Sequence, residues 1–270
     1  MSVGSQGAVA NTGPVALALD DISVQFGGNR VLESFSMQFS QGFNGLVGPN
    51  GAGKTTAFNV ICGYVTPTGG RVLLYGTPVH GQPSNAMSKR GVGRTFQSPR
   101  LVLEMTVLEN VMLGRHNHVH SSHLAEMLGF TNARRAEREA KDQSRALLER
   151  FELGARADMP AHNVPLGSQK LVEICRALNS DPRILLLDEP AAGLGVEDVD
   201  KMVGALRIEQ RERGLCVVMI EHDLHLVQRL CPFVGVLHFG HIIAAGAPAD
   251  VVRDPVVIEA YLGVGVAAAN

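Results

Sequence analysis

Residues Gly48-Pro49-Asn50-Gly51-Ala52-Gly53-Lys54-Thr55 fit the pattern G-x-x-x-x-G-K-[ST] at every fixed position. The run follows an apolar stretch ending Leu46-Val47, which reads as a strand, and precedes Thr56-Ala57-Phe58-Asn59-Val60-Ile61, which reads as a helix. A strand–loop–helix of this kind cradles phosphate. The glycines let successive backbone N–H groups turn inward, and the helix start adds its partial positive charge. Lys54 is the expected contact of the β- and γ-phosphates, and the Thr55 hydroxyl the expected Mg²⁺ ligand. Gly48 to Thr56 is therefore the expected nucleotide-binding segment.

Composition narrows what such a loop can serve. The chain has 270 residues, 45% of them hydrophobic, enough for one large domain or two small ones. Its formal charge is 24 − 26 = −2, so no bulk field attracts nucleic acid or an acidic membrane surface. Aromatics make up 5% and tryptophan is absent, which also speaks against a base-stacking platform. Cys62, Cys175, Cys216 and Cys231 form no C-x-x-C pair and lie among apolar residues, the setting of buried reduced thiols. No apolar run approaches the roughly 18 residues of a membrane span. Met1 to Pro14 lacks a basic leader and is rich in Ser, Gly, Ala and Asn, so a flexible tail over 1–15 is expected.

Along the chain, Leu17, Leu19, Ile22, Val24 and Phe26 alternate and end at Gly27-Gly28. Val31 to Phe39 and Arg71 to Gly76 read as further strands, giving a β-rich region around the phosphate loop. From Thr106 to Leu153 the spacing becomes helical, in Leu124–Leu128 and in Arg134 to Phe151, with Glu137, Lys141, Arg145 and Glu149 on one polar face. Arg183-Ile184-Leu185-Leu186-Leu187-Asp188 and Leu215-Cys216-Val217-Val218-Met219-Ile220 are continuous apolar runs, as in strands of a parallel sheet covered on both faces. The expected fold class is α/β with an inserted helical region.

Two acids close the first buried run. Asp188 is the expected Mg²⁺ holder and Glu189 the expected acceptor of the attacking water's proton, alternation along a strand separating their roles. His222, after the second run in Ile220-Glu221-His222-Asp223, falls where strand ends face a ligand and is expected near the γ-phosphate. Gln97 precedes the helical insert and carries a neutral amide suited to Mg²⁺ or water. Phe26, before its Gly-Gly turn, reads either as a stacking partner for adenine or as a core aromatic.

The order of these motifs resembles the ATP-binding subunit of ATP-binding-cassette (ABC) transporters, from about Leu17 to Leu262. Arg94-Thr95-Phe96-Gln97, Glu104-Met105-Thr106-Val107-Leu108-Glu109-Asn110-Val111, Glu221-His222-Asp223 and the tail from Asp254-Pro255 to Tyr261-Leu262-Gly263 resemble its branched-chain amino acid importer branch. The resemblance implies a P-loop NTPase: a RecA-like core with an antiparallel β subdomain and a helical subdomain, the cassette spanning 16–263, its helical part about 98–165, and a flexible tail over 264–270. It implies ATP and Mg²⁺ as cofactors and two cassettes facing head to tail around ATP. Hydrolysis then drives an integral membrane permease fed by a solute-binding protein, from the cytoplasmic face of the inner membrane. The groove beside Gln97 is expected to receive a short cytoplasmic helix of the permease. The rival classes are a regulatory ATP-binding cassette and a soluble ABC ATPase without a transport role.

One element departs from the family. Its signature reads approximately L-S-x-G-Q and contacts the partner cassette's γ-phosphate. Anchoring on Glu173-Ile174 and Arg176-Ala177-Leu178 places it at Val164-Pro165-Leu166-Gly167-Ser168. Pro165 then stands for the serine, removing a hydroxyl and a backbone N–H, and Ser168 stands for the Gln. A one-residue gap instead aligns Leu166-Gly167-Ser168-Gln169, and Gly195 replaces a usual Asp or Asn. The expectation is a weakened surface toward the partner and thus a heterodimer with a sister cassette, a homodimer being the alternative. The histidines at 116, 118, 120 and 123, and Arg134-Arg135 with Arg138, read as solvated surface rather than as metal or lipid sites.

Overall fold

The structure is a computed structural model that describes residues 13–117 and 130–262. Both expected tails lie largely outside these residues, as do the expected helix Leu124–Leu128 and most of the histidine cluster. The chain forms two compact units, one from residues 1–87 with 214–270 and the other from residues 88–213.

The first unit holds two sheets. β1 (Val15–Phe26) and β2 (Asn29–Ser40) form a hairpin closed at Phe26↔Asn29, with Gly27 at φ 58 in the turn. A two-residue connection needs positive φ, and a residue without Cβ adopts it at no steric cost. β4 (Gly69–Leu74) pairs antiparallel with β1 and β5 (Thr77–Pro78) with β4, giving the order β2-β1-β4-β5. The alternation of Leu17, Leu19, Ile22 and Val24 puts these side chains in the core, each worth roughly 1.5–3 kcal/mol on burial.

In the second sheet, β3 (Gly42–Val47) lies parallel to both β8 (Cys216–Ile220) and β9 (Phe233–His238). β10 (His241–Gly246) returns antiparallel beside β9. β8 is buried along its length, as its unbroken apolar run predicts. Asn44 interrupts the apolar β3, yet it is buried because its amide donates to the carbonyls of Ser40 (2.8 Å) and Val217 (3.3 Å).

The second unit pairs β6 (Val92–Arg94) parallel with β7 (Ile184–Asp188), in the register Arg94↔Leu186. Around them are the helices Val107–Met112, Phe130–Arg150, Leu166–Asn179 and Val196–Arg213. The first has a reciprocal cap: the Glu109 N–H donates to Thr106 Oγ1, and the Thr106 N–H to the Glu109 carboxylate. Glu137, Lys141 and Glu149 are exposed on the second, while Leu147 and Leu148 are buried beneath it. Asn179 links three of the helices, donating to Val111 O (2.8 Å) and Ser144 Oγ (3.0 Å). Among the described residues no helix is long and apolar enough to cross a membrane.

Candidate functional site

The phosphate loop leaves the end of β3 and enters the helix Lys54–Ile61. Its glycines are required by geometry. Gly48 has φ +149, and a Cβ there would lie 2.0 Å from the Leu237 carbonyl oxygen. Gly53 has φ +109, and its Cβ would meet Leu32 Cδ2 at 2.8 Å and Val31 O at 2.9 Å. The Gly240 N–H donates to Ala52 O at 3.0 Å, tying the loop to the β9–β10 turn. No side-chain hydrogen bond caps the helix, and a helix start of this kind is suited to receive an anion. The buried Lys54 ammonium donates to the carbonyls of Gly48 (2.7 Å) and Pro49 (2.8 Å), which holds it across its own loop. Thr55 is exposed at the helix start, and Asn50 and Gly51 at the loop's crest.

The same unit brings His222 to this end of the sheet. β3 and β8 run parallel with Leu46 opposite Ile220, so the phosphate loop and Glu221-His222 emerge side by side. Glu221 is buried and accepts the His222 N–H at 3.1 Å. Asp223 caps the helix Leu224–Leu230 through the N–H groups of His225 and Leu226, fixing the turn that carries the exposed histidine. Phe26 is 52% exposed at the β1–β2 turn, so it is not the core aromatic of the second sequence reading.

The second unit gathers Asp188, Glu189 and Gln97. Asp188 ends β7 and is ion-paired with Arg94 at 3.0 Å, the two side chains only 5% and 7% exposed. Its N–H donates to Thr95 Oγ1 at 3.2 Å, and the Thr95 N–H donates to Leu186 O at 2.9 Å. One expectation is corrected here. Strand alternation does not separate the two acids, because β7 stops at Asp188 and Glu189 adopts φ 48. A left-handed residue at the strand end turns the chain, and this turn gives the neighbouring carboxylates their different surroundings. Gln97 Nε2 donates to Glu189 Oε2 at 2.9 Å, and Lys170 Nζ reaches the Glu189 carbonyl at 3.4 Å. Arg94, Thr95 and Lys170 are missing from the sequence reading as site residues. The adjacency of Arg94-Thr95 to Gln97 was the available signal; nothing in the sequence marks Lys170.

Pro165 stands at the N-terminal boundary of the helix Leu166–Asn179 and gives it no side-chain cap. Leu166 is 63% exposed at the first position. Gly167 is confined, since a Cβ would meet Leu194 Cδ2 at 3.2 Å. Ser168 is buried and accepts from Arg156 Nη1 at 2.7 Å, so its hydroxyl is engaged inside this unit. Gln169 also turns inward, donating to Ala161 O (3.1 Å) and Val164 O (2.9 Å). All four cysteines are free and buried, as expected. Burial pushes the thiols of Cys216 and Cys231 up to about 12 and that of Cys175 well above its ordinary value.

Comparison with known proteins places these features in a family. The family described as ABC transporter matches residues 32–192, and that described as branched-chain amino acid ATP-binding cassette transporter matches residues 241–267. The chain is 36% identical over 248 residues to the high-affinity branched-chain amino acid transport ATP-binding protein BraF of Pseudomonas aeruginosa, covering 92% of this chain and 97% of that one. It is 37% identical over 251 residues to LivG of Escherichia coli, a protein with the same description, at the same coverage. Among solved structures, the ADP conformation of MJ1267, an ATP-binding cassette of an ABC transporter, superposes with a TM-score of 0.78 at 29% identity, over 92% of this chain and 99% of that one. With a phosphate loop built on glycines that leave no room for a side chain and acids closing a buried strand, this chain belongs to the ABC transporter family as an ATP-binding, ATP-hydrolysing subunit.

Proposed function

We propose that the chain powers uptake of branched-chain amino acids, or of a chemically related small solute, through a membrane permease. The observation that carries this reading is the match of residues 241–267 to the branched-chain amino acid cassette family, in a chain that keeps Gln97, Glu189 and His222. A cassette retained only for regulation has no need of a base beside a water-orienting amide. Residues Gly48 to Thr56 bind the phosphates, Lys54 neutralises the β- and γ-phosphate oxygens, and Phe26 stacks on the adenine. Glu189 takes the proton of the attacking water, Gln97 orients that water from its bond to the same carboxylate, and His222 donates to the γ-phosphate.

The donor set fits Mg²⁺. The Thr55 hydroxyl, the Gln97 amide oxygen and the Asp188 carboxylate are hard oxygen donors of the kind this ion prefers, and Gln97 spends its amide nitrogen, not its oxygen, on Glu189. Bound there, the ion would neutralise charge on the β- and γ-phosphate oxygens. The ion pair with Arg94 fixes the buried Asp188 carboxylate in place for that role.

The working unit is a pair of cassettes at the cytoplasmic face of the inner membrane, joined to permease subunits and supplied by a solute-binding protein. Pro165, Leu166, Gly167 and Ser168 face the sister cassette's ATP. Pro165 offers neither hydroxyl nor N–H, and Ser168 is already engaged by Arg156, so the ATP site this chain completes for its partner is the poorer one. The test is ATP turnover by the chain alone and with a sister cassette, each partner's strand-end glutamate replaced in turn. Glu189→Gln lowers turnover by about 10²–10⁴-fold while ATP binding stays. Near-equal hydrolysis at both sites would overturn the asymmetric heterodimer. Undiminished turnover in Glu189→Gln would overturn the assignment of the base.

A further inference from the structure

The bond between Gln97 and Glu189 needs Gln97 to be held, yet residues 95–100 belong to no helix or strand. Beyond Thr95, which is bonded to β7, the segment is held by one buried carboxylate. Glu173, 2% exposed on the helix Leu166–Asn179, accepts the Phe96 N–H at Oε2 (3.3 Å) and the Arg100 N–H at Oε1 (3.1 Å). These two bonds bracket Gln97. Arg176, one turn on, donates to Glu173 Oε1 at 3.1 Å and to Arg100 O at 2.5 Å, so the far side of the segment is pinned as well. Two guanidinium groups lie over the Phe96 ring, that of Arg100 at 4.1 Å and that of Arg94 at 5.2 Å from its centroid. Lys170 precedes Glu173 by three residues on the same helix and reaches the Glu189 carbonyl. The spacing of Lys170, Glu173 and Arg176 puts all three on one helix face. One face therefore holds the backbone on both sides of Gln97 and the backbone of Glu189, the two residues that meet in the Gln97–Glu189 bond.

We propose that Glu173 is a positioning residue for ATP hydrolysis, holding residues 96–100 so that the Gln97 amide stays on the Glu189 carboxylate. This rests on the roles given to Gln97 and Glu189 above. A carboxylate present only to pair with Arg176 has no need to accept the N–H groups on both sides of Gln97-Ser98-Pro99. Burial pushes the Glu173 carboxyl up, against the pull of those N–H groups and of Arg176. The fold thus keeps an unfavourably buried acid where an apolar side chain would leave Phe96 and Arg100 N–H unpaired.

The test uses the full-length chain in its membrane complex, with Glu173→Ala and Glu173→Gln. Glu173→Gln keeps the shape and one acceptor oxygen, and it carries the test alone if the alanine variant does not fold. Amide exchange of Phe96 and Arg100 is expected to quicken about tenfold in Glu173→Ala and less in Glu173→Gln. In the same variants kcat falls about tenfold while KM for ATP stays within about twofold. In a Gln97→Ala background, Glu173→Ala lowers kcat no further, because its effect passes through Gln97. Unchanged exchange at both amides, a loss confined to KM, or losses that multiply in the double variant would overturn the proposal. Undiminished turnover in Glu189→Gln would instead sink the reading of the site, and the exchange result would stand apart from it.

Discussion

The phosphate loop and the Gln97–Glu189 centre achieve order by opposite means. The loop is specified by contiguous residues. Its Gly48 and Gly53 occupy backbone conformations that exclude a side chain, and Lys54 returns to the carbonyls of Gly48 and Pro49. The other centre draws on residues 94–97, 170–176 and 188–189, brought together by the pairing of β6 with β7 and by side-chain bonds between residues far apart in sequence. One is a local backbone device and the other a tertiary assembly.

The largest effect on nucleotide binding should come from breaking the local device. In Gly48→Ala the new methyl meets the Leu237 carbonyl oxygen, so the loop must shift away from β9. Isothermal titration should show ATP affinity falling by at least about a hundredfold, equivalent to roughly 3 kcal/mol of strain or displacement. Retained affinity would mean that the loop is less tightly fixed than its geometry implies.

Breaking the tertiary assembly at Arg94→Met leaves Asp188 buried without its ion pair. Denaturant unfolding should register about 3–5 kcal/mol of lost stability. A divalent cation should return part of it, since it neutralises the same carboxylate. An unchanged midpoint would show that Asp188 is held by other means.

A smaller effect tests a local device inside the second unit. Thr106 holds the Glu109 carboxyl below its ordinary value of 4.5, through its backbone N–H and its hydroxyl. A lowered carboxyl stabilises the fold above the ordinary value and loses that contribution as pH falls through the lower one. Thr106→Ala should drop Tm by about 2–4 °C near neutral pH. The difference from the parent chain should narrow in acid, and a difference constant with pH would assign the loss to the bond from the Glu109 N–H to the Thr106 hydroxyl rather than to the carboxylate. The smallest expected response is in the thiols. With the thiols of Cys216 and Cys231 raised to about 12, the native chain should resist alkylation near pH ~8, and all four cysteines should react once it is unfolded.

How much of this was legible follows the same division. The Gly48–Thr55 pattern, the apolar runs of β7 and β8 and the alternation in β1 each state their own structure, because hydrophobic period and glycine placement act over a few residues. Asp188, Glu189 and His222 were legible as strand-end residues for that reason. The role of Arg94 was not, since an arginine beside a strand reads as surface until Asp188 lies 3.0 Å away. Glu173 was equally silent, one acid in a helix whose neighbours are apolar.

The sequence alone determined the phosphate loop, the buried strands and the family, because each depends on patterns that contiguous residues impose on the backbone. Only the tertiary structure decided that Glu189 turns away from β7 at positive φ, that Ser168 is spent on Arg156, and that Glu173 brackets Gln97. These depend on which distant side chains meet when the core closes, and a buried polar group is stable only where such a partner arrives.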